Sequence, residues 1–329
     1  MKLPSQLSTA VPGKRSTARS VWRWSPTLAL KVTLAVALLW WLSWSGRLAV
    51  EPFWDLQLGW TLVGVLVCQA VMLWVPIVRW YLLVRAQELP IGFVEALQIG
   101  LIGNFVSIFV PAGLGLDGVR FLYAVQLCPE RRLNVVSTLI MDRVLGLLAL
   151  LGLGVGFGVR LVAAGLVERV TWLIWLSGGV GLLLLGGLAT LWVVPKRLGE
   201  VLSRLRFFGH VWEAFATYRQ RLLVIELCML LSLVGNLASF TAAFLGFRAL
   251  GFAVPLQVVY PLTAVVNLSS MLPLTPLGLG VSDTLAASLY EMMGVLHGAV
   301  EVNMLLRLLT LVYAALSAVG LLWPGSLRR

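Results

Sequence analysis

Arg143 and Arg307 stand inside apolar runs, where a permanent charge needs a reason. Arg143 follows Leu133 by about ten residues, roughly 15 Å along a helix, and Arg307 follows Gly298 by about nine, roughly 14 Å. An arginine facing lipid is costly, so each needs a partner or a watered cavity. The carboxylates on related segments are Asp117, Asp142 and Asp283. Asp142 adjoins Arg143 in the chain and points elsewhere around a helix, whereas Thr138 with Asp142, and Asn303 with Arg307, share faces. Pairing across the two halves of the chain is therefore expected over a local pair. Together with Arg120, these arginines could hold an anionic headgroup, with the acidic neighbours keeping it from being trapped. The same residues could equally be internal ion pairs that hold a bundle together. Glu291 and Glu301 are secondary candidates for proton coupling, and no residue is singled out as catalytic.

The segments that must position these charges are broken. Val110 to Arg120 reads VPAGLGLDGVR, and Leu272 to Asp283 reads LPLTPLGLGVSD. Gly113 and Gly115 match Gly278 and Gly280 at one common offset. Asn104 falls near the place of Asn267, Pro111 near Pro273, and Arg143 near Arg307; Pro276 adds a second proline to the later break. Glycine permits unusual dihedrals and close packing, and proline withholds a donor. If half-helices meet at the breaks, the amides around Gly115–Val119 and Val281–Leu285 form partial positive sites suited to phosphate or carboxylate. Asp117 and Asp283 could instead cap these helices, satisfying the same amides.

Composition places all this in a membrane. The chain has 329 residues, 60% hydrophobic and 12% charged, with a mean hydropathy of +0.94, and several apolar stretches reach the ~20 residues of a bilayer span. Its net charge of +11 sits between apolar spans, as the positive-inside rule and anionic lipid require, so nucleic acid is not an expected partner. Cys68, Cys128 and Cys228 stand far apart, as do His210 and His297; neither a metal site nor a cofactor is expected. GLGLDG lacks the Lys-Ser/Thr of a nucleotide loop, and GLGVGFG from Gly152 lies on a membrane helix.

In chain order, a basic tail (1–27) precedes a first span from about Leu28 to Trp44, with Trp40, Trp41 and Trp44 as an interfacial belt. A second span covers about Gly59 to Val84, with Arg79 and Arg85 returning it to the basic face. Two half-helices then enter, meet at the first break and return near Leu127. Further spans follow at Leu133–Val159 and Val170–Val194. An amphipathic connection (196–221) holds Lys196, Arg197, Arg204, Arg206, Arg219 and Arg221 on the inner face. A span from Leu222 to Phe247, a second broken hairpin from Val254 to Gly294, a last span from Gly298 to Trp323 and a short tail (324–329) complete the chain. The fold class is thus an all-α polytopic membrane protein, with about six full spans plus two hairpins in one transmembrane domain (28–323). The unit "span, broken re-entrant hairpin, span" occurs twice, at about 59–159 and 222–323. By the parity of crossings the copies run in opposite directions, the inverted-repeat architecture of many secondary transporters. Both termini are expected in the cytoplasm.

GNFVSIFVPAGLGLDGVR (Gly103–Arg120), DRVLGLLAL (Asp142–Leu150) and LPLTPLGLGVSD followed by Arg307 resemble, in order and spacing, the flippase-like membrane proteins related to the N-terminal domain of lysylphosphatidylglycerol synthase. The resemblance runs from about Leu28 to Trp323. It implies a bacterial or archaeal cytoplasmic-membrane protein that moves an anionic phospholipid or lipid-linked phosphate between leaflets, passively or by ion coupling. Relatives often carry a proline-glycine-glycine-glutamate turn where this chain has Gly115, Leu116 and Asp117. The sequence ends soon after its last span, so the aminoacyl-transferase domain of bifunctional relatives, and lysine transfer with it, is not expected. The alternatives are a membrane-embedded transferase acting on a lipid carrier, and a non-transporting scaffold whose partner is an envelope-biosynthesis enzyme.

The topology predicts that a cysteine placed at Arg248 labels from outside the membrane and one at Arg204 from inside, read with an impermeant maleimide. The reverse pattern, or labelling of both from one face, overturns it.

Overall fold

The computed structural model describes residues 40, 44, 59–110, 114–163, 178–183, 186, 217–270 and 279–322. The tails (1–27, 324–329) and most of the first span, the Val170–Val194 span and the 196–221 connection lie outside the described residues. So do Pro111, Gly113, Pro273, Pro276 and Gly278.

Regular structure among the described residues is entirely helical. Helix α1 (Trp60–Ala86) is followed by α2 (Phe93–Val106), α3 (Leu114–Leu127) and α4 (Arg132–Ala163). After the masked connection come α5 (Leu222–Ala249), α6 (Leu256–Ser270), α7 (Val281–Met292), α8 (Ala299–Leu316) and a final turn, α9 (Val319–Leu322). Among the described residues four helical stretches are long and apolar enough to cross a membrane: Trp60–Ala86, Pro129–Arg160, Leu222–Ala249 and Ala299–Leu321. Helices α2, α3, α6 and α7 have 14, 14, 15 and 12 residues. At about 1.5 Å per residue they are roughly 18–23 Å long, short of the ~30 Å hydrocarbon core.

Local chemistry starts these helices. Glu95 accepts the Gly92 N–H at 2.8 Å ahead of α2, Asp283 the Gly280 N–H at 2.9 Å ahead of α7, and Glu301 the Gly298 N–H at 3.0 Å ahead of α8. Each carboxylate lies three residues past the helix cap, the returning half of a capping box. Gly280 and Gly298 have φ of 79° and 99°, which a side chain would strain.

The most extensive helix contact among the described residues joins α1 to α5, and the two run antiparallel. Gly64 lies against Leu245, Gly235 against Val75, and Arg79 reaches Ser232. Small residues let the backbones approach, as between membrane helices generally. Around this pair the halves exchange contacts: α4 packs on α6, while α8 and α9 pack on α2. Gln69 of α1 donates to the Leu306 carbonyl of α8 at 2.8 Å, and Asn236 of α5 donates to the Gly146 carbonyl of α4 at 3.3 Å.

Both ends of the α2–α3 hairpin lie at one end of the bundle: Asn134 donates to Gln87 at 2.8 Å, Arg131 to the Glu88 carbonyl at 3.1 Å, and Arg221 pairs with Glu88 at 2.6 Å. The basic turns at Arg131, Arg132, Arg219 and Arg221 thus gather at a common end. The α6–α7 hairpin opens elsewhere, where Gly298 lies against the ring of Phe252. Because α5 runs antiparallel to α1, that is the opposite end.

The last span differs from the expected single helix over Gly298–Trp323. It breaks after Leu316 into i→i−3 bonds, Ala318 to Ala315 and Gly320 to Ser317. The reason is docking onto α2: a Cβ on Gly320 would stand 2.8 Å from Leu101 Cβ, and Gln98 Nε2 donates to the Gly320 carbonyl at 3.2 Å.

At the first break, a Cβ on Gly115 would lie 2.7 Å from Ser107 Cα and 3.0 Å from the Val106 carbonyl carbon, so α3 rests directly on the end of α2. Gly118, one turn on, meets nothing within 4 Å. Gly115→Ala is expected to destabilise by about 1–3 kcal/mol through overpacking. Gly118→Ala should be neutral or stabilising by up to about 1 kcal/mol from helix propensity. Thermal unfolding in detergent reads both, and equal shifts overturn the contact at the break.

Candidate functional site

Asp142 sits on the inward face of α4 between two arginines. Arg79 of α1 donates from Nε to Asp142 Oδ1 at 2.6 Å and from Nη1 to Ser232 Oγ at 2.7 Å. Arg120 of α3 donates from Nη1 to Asp142 Oδ2 at 3.2 Å and from Nη2 to the Pro76 carbonyl at 2.7 Å. The Arg120 side chain is fully buried, and its guanidinium carbon lies 5.2 Å from the centre of a Trp80 ring. Trp80 in turn donates to Thr138 at 3.3 Å. One turn of α4 thus fixes both the carboxylate and the ring that stacks on Arg120. On the same helix, Arg143 points another way and pairs with Asp117 of α3 at 2.5 Å. Asp117 also lies 3.9 Å from Arg120, so Arg79, Asp142, Arg120, Asp117 and Arg143 form one connected cluster.

The second half carries a smaller version. Arg307 of α8 forms a two-pronged contact with Asp283 of α7, at 3.0 and 3.1 Å, the fork geometry that favours arginine over lysine. Asn303 and the Gly280 amide also bond to Asp283, at 3.3 and 2.9 Å, and Ser282 accepts from Arg307 at 3.2 Å. Asp283 therefore both caps α7 and holds the arginine, so the two readings of that residue coexist in one carboxylate.

These pairs correct the expectation of pairing across the halves. Arg143 meets Asp117, and Arg307 meets Asp283, each within its own half. The physical reason is the hairpin: it folds its second half-helix against the span that follows it, and this local packing brings a first-turn aspartate to the deep arginine. Arg79, read as a marker of the basic end, is instead nine-tenths buried. It was missed although the depth argument reaches it, since it stands about seven residues, roughly 10 Å, inside the end of α1. Glu301 is buried as a cap, and Glu291 is exposed at the end of α7; neither joins the cluster.

Two cavities flank the α1–α5 pair. The larger, about 280 Å³, is lined by Arg79 and Met72 of α1, Gly146 of α4, Ser232 and Asn236 of α5, and Asn267 and Ser270 of α6. The smaller, about 160 Å³, is lined by Gln69 and Met72 of α1, Asn104 and Ser107 at the end of α2, and Thr310 of α8. Each lining includes an asparagine followed three residues on by a serine: Asn104 and Ser107 in the smaller, Asn267 and Ser270 in the larger. The buried Asn104 Nδ2 has no partner among the described residues. Among the described residues no group of three His, Cys, Asp or Glu side chains converges as a metal site.

The family model for the lysylphosphatidylglycerol synthase TM region matches residues 28–323, and the chain belongs to that family. No curated protein and no solved structure matches it.

Removing Asp142 would leave two buried guanidiniums against each other. Asp142→Ala is expected to cost about 3–5 kcal/mol, as for any broken buried pair. Asp117→Ala should cost less, because the Arg143 side chain is 40% exposed. Unfolding of the purified variants compares them, and an equal or larger loss at Asp117 overturns the ranking.

Proposed function

We propose that this chain moves an anionic phospholipid or a lipid-linked phosphate between the leaflets of a bacterial or archaeal cytoplasmic membrane, and that its two halves are an inverted repeat. The headgroup crosses by way of the two cavities while the acyl or prenyl tails stay in the bilayer. The α2–α3 and α6–α7 pairs act as re-entrant hairpins that open to opposite leaflets in turn. Transport is passive or ion-coupled.

The observation that carries this reading is the correspondence of the two cavities. We read the two as one hollow beside the α1–α5 pair that occurs twice, mainly apolar in its walls and with an asparagine and a serine at equivalent places. The antiparallel α1 and α5 put the two hollows on opposite sides of the centre of that pair, sharing Met72. An isolated structural bundle has no use for two such hollows, since polar groups in hydrocarbon are satisfied internally or line a wet path. The short half-helices, with both ends of each pair at one face, support re-entrance, and the antiparallel opening spans support inversion. Family membership supports lipid handling as the task.

A scaffold for an envelope-biosynthesis enzyme is the second reading. The pairing of Arg143 with Asp117 and of Arg307 with Asp283 favours it; the cavities weigh against it.

Purified protein in liposomes is expected to accelerate the movement of a fluorescent anionic phospholipid between leaflets. Ser107→Trp and Ser270→Trp, filling one cavity each, should each slow it at least about tenfold, equivalent to about 1.4 kcal/mol of barrier. Movement unchanged by either substitution overturns a path that needs both cavities.

A further inference from the structure

We propose that Tyr218 is the plug of a gate at the basic end of the bundle. With its ring seated, the larger cavity is closed from that end, and withdrawal of the turn that carries it opens the way in. The inference deepens the translocation reading and rests on it for what passes through the gate.

Two layers stand between the basic end and the larger cavity. The outer one is apolar. Tyr218 lies on a single 3₁₀ turn, Thr217–Gln220, just ahead of α5, and is the buried residue of that turn. It packs with Leu83 and Ala86 of α1, Met141 and Leu145 of α4, and Cys228 of α5. The inner layer is ionic, with Arg79 holding Asp142 and Ser232. Cys228 joins the layers: it is buried in the cluster of Tyr218 and donates from Sγ to the Arg79 carbonyl at 3.7 Å. Arg79 and Ser232 in turn line the cavity, as does Asn236. Along α5, Cys228, Ser232 and Asn236 follow one another at helical spacing, so they mark successive depths from the end to the cavity.

The spans here do not part cheaply. Helices α1 and α5 share the most extensive contact among the described residues, and the Arg79–Asp142 pair ties α1 to α4. The Tyr218 turn can leave its seat without moving a span, and two features show that the seat is not relaxed. The phenol hydroxyl lies beside Gln87 and Ser137 without an aligned hydrogen bond, so burying the ring gains less than it would with the hydroxyl satisfied. At the rim, Arg221 pairs with Glu88 at 2.6 Å. Glu88 has φ of 53°, the one positive φ outside glycine among the described residues. Glu88 donates to the Arg85 carbonyl at 3.1 Å and Leu89 to the Val84 carbonyl at 3.2 Å, the helix ending whose left-handed residue is most often glycine. A glutamate in that place strains the backbone, and what it supplies is a carboxylate within reach of Arg221. Strain is thus tied to the contact that holds the turn down, as at switch segments.

The native cysteines report the gate. Cys228 lies in the cluster that Tyr218 covers, whereas Cys128 is buried in the separate cluster around α2 and α3 and reports loosening of the bundle. The full-length protein in detergent is pulsed with N-ethylmaleimide, and both cysteines are read by peptide mass spectrometry. Labelling of a buried thiol follows the population of the open form, so Tyr218→Ala is expected to speed labelling of Cys228 at least about tenfold with Cys128 unchanged. Tyr218→Phe keeps the plug and drops the poorly bonded hydroxyl, so its Cys228 should label no faster than in the parent. Glu88→Gly removes the rim pair and relieves the strain. Its Cys228 should label at least about threefold faster, while the unfolding temperature holds or rises. A merely structural contact would lose stability instead. Unchanged labelling of Cys228 in both Tyr218→Ala and Glu88→Gly overturns the gate, and so does a rise at Cys128 equal to that at Cys228. The expected labelling in a protein that moves no lipid in liposomes overturns the translocation reading and leaves the gate standing.

Discussion

The arrangement of the first half depends on Asp142 lying between Arg79 and Arg120. Away from bulk water, a lone buried carboxylate or guanidinium is too costly to keep, so each of the three holds the others in place. Arg79 comes from α1, Arg120 from α3 and Asp142 from α4. The ion cluster therefore fixes the span that opens the half, the returning half-helix and the span that closes it. The Pro76 carbonyl and the Trp80 ring, both on α1, take up what remains of Arg120. In the second half the pair of Asp283 and Arg307 joins α7 to α8 in the same way.

The shared Asp–Arg pairs show the complementary lesson. In both halves an aspartate in the first turn of the returning half-helix meets an arginine on the following span, Asp117 with Arg143 and Asp283 with Arg307. A carboxylate at a helix start is already favoured by the exposed amides there. The arginine then neutralises a charge that the backbone helped to place. In the second half one carboxylate performs both tasks, leaving the Arg307 side chain 13% exposed. In the first, Arg143 remains 40% exposed, so the two halves present their deep arginines unequally.

Membrane helices gain little from hydrophobicity when they associate, since lipid is as apolar as leucine. Close approach at small residues and a few interhelical hydrogen bonds must set the arrangement instead. Gly64 against Leu245, Gly235 against Val75, Gly154 against Ala264 and Gly320 against Leu101 mark such approaches. The bonds of Gln69 and Asn236 to backbone carbonyls of the opposite half add direction. The price is a pair of hollows beside α1 and α5 that side chains do not fill, and these are where a polar group could pass.

The sequence by itself determined the membrane class and the positions of the four long apolar helices among the described residues. Each follows from local rules: apolar run length, the backbone freedom of glycine and proline, and the rise per residue of a helix. It also determined that Asp142 would point away from Arg143 and that Asn303 would share the face of Arg307, because helical spacing fixes direction. Only the tertiary structure decided which charges meet. Arg79 lies far from Asp142 in the chain, and no local rule reveals that α1 carries it to α4. The same holds for the split of the last span at Ser317, which exists because Gly320 docks on α2, and for the cavities, whose walls come from both halves. Partner choice among deep charges is settled by which helices touch, and that depends on close packing summed over the whole bundle.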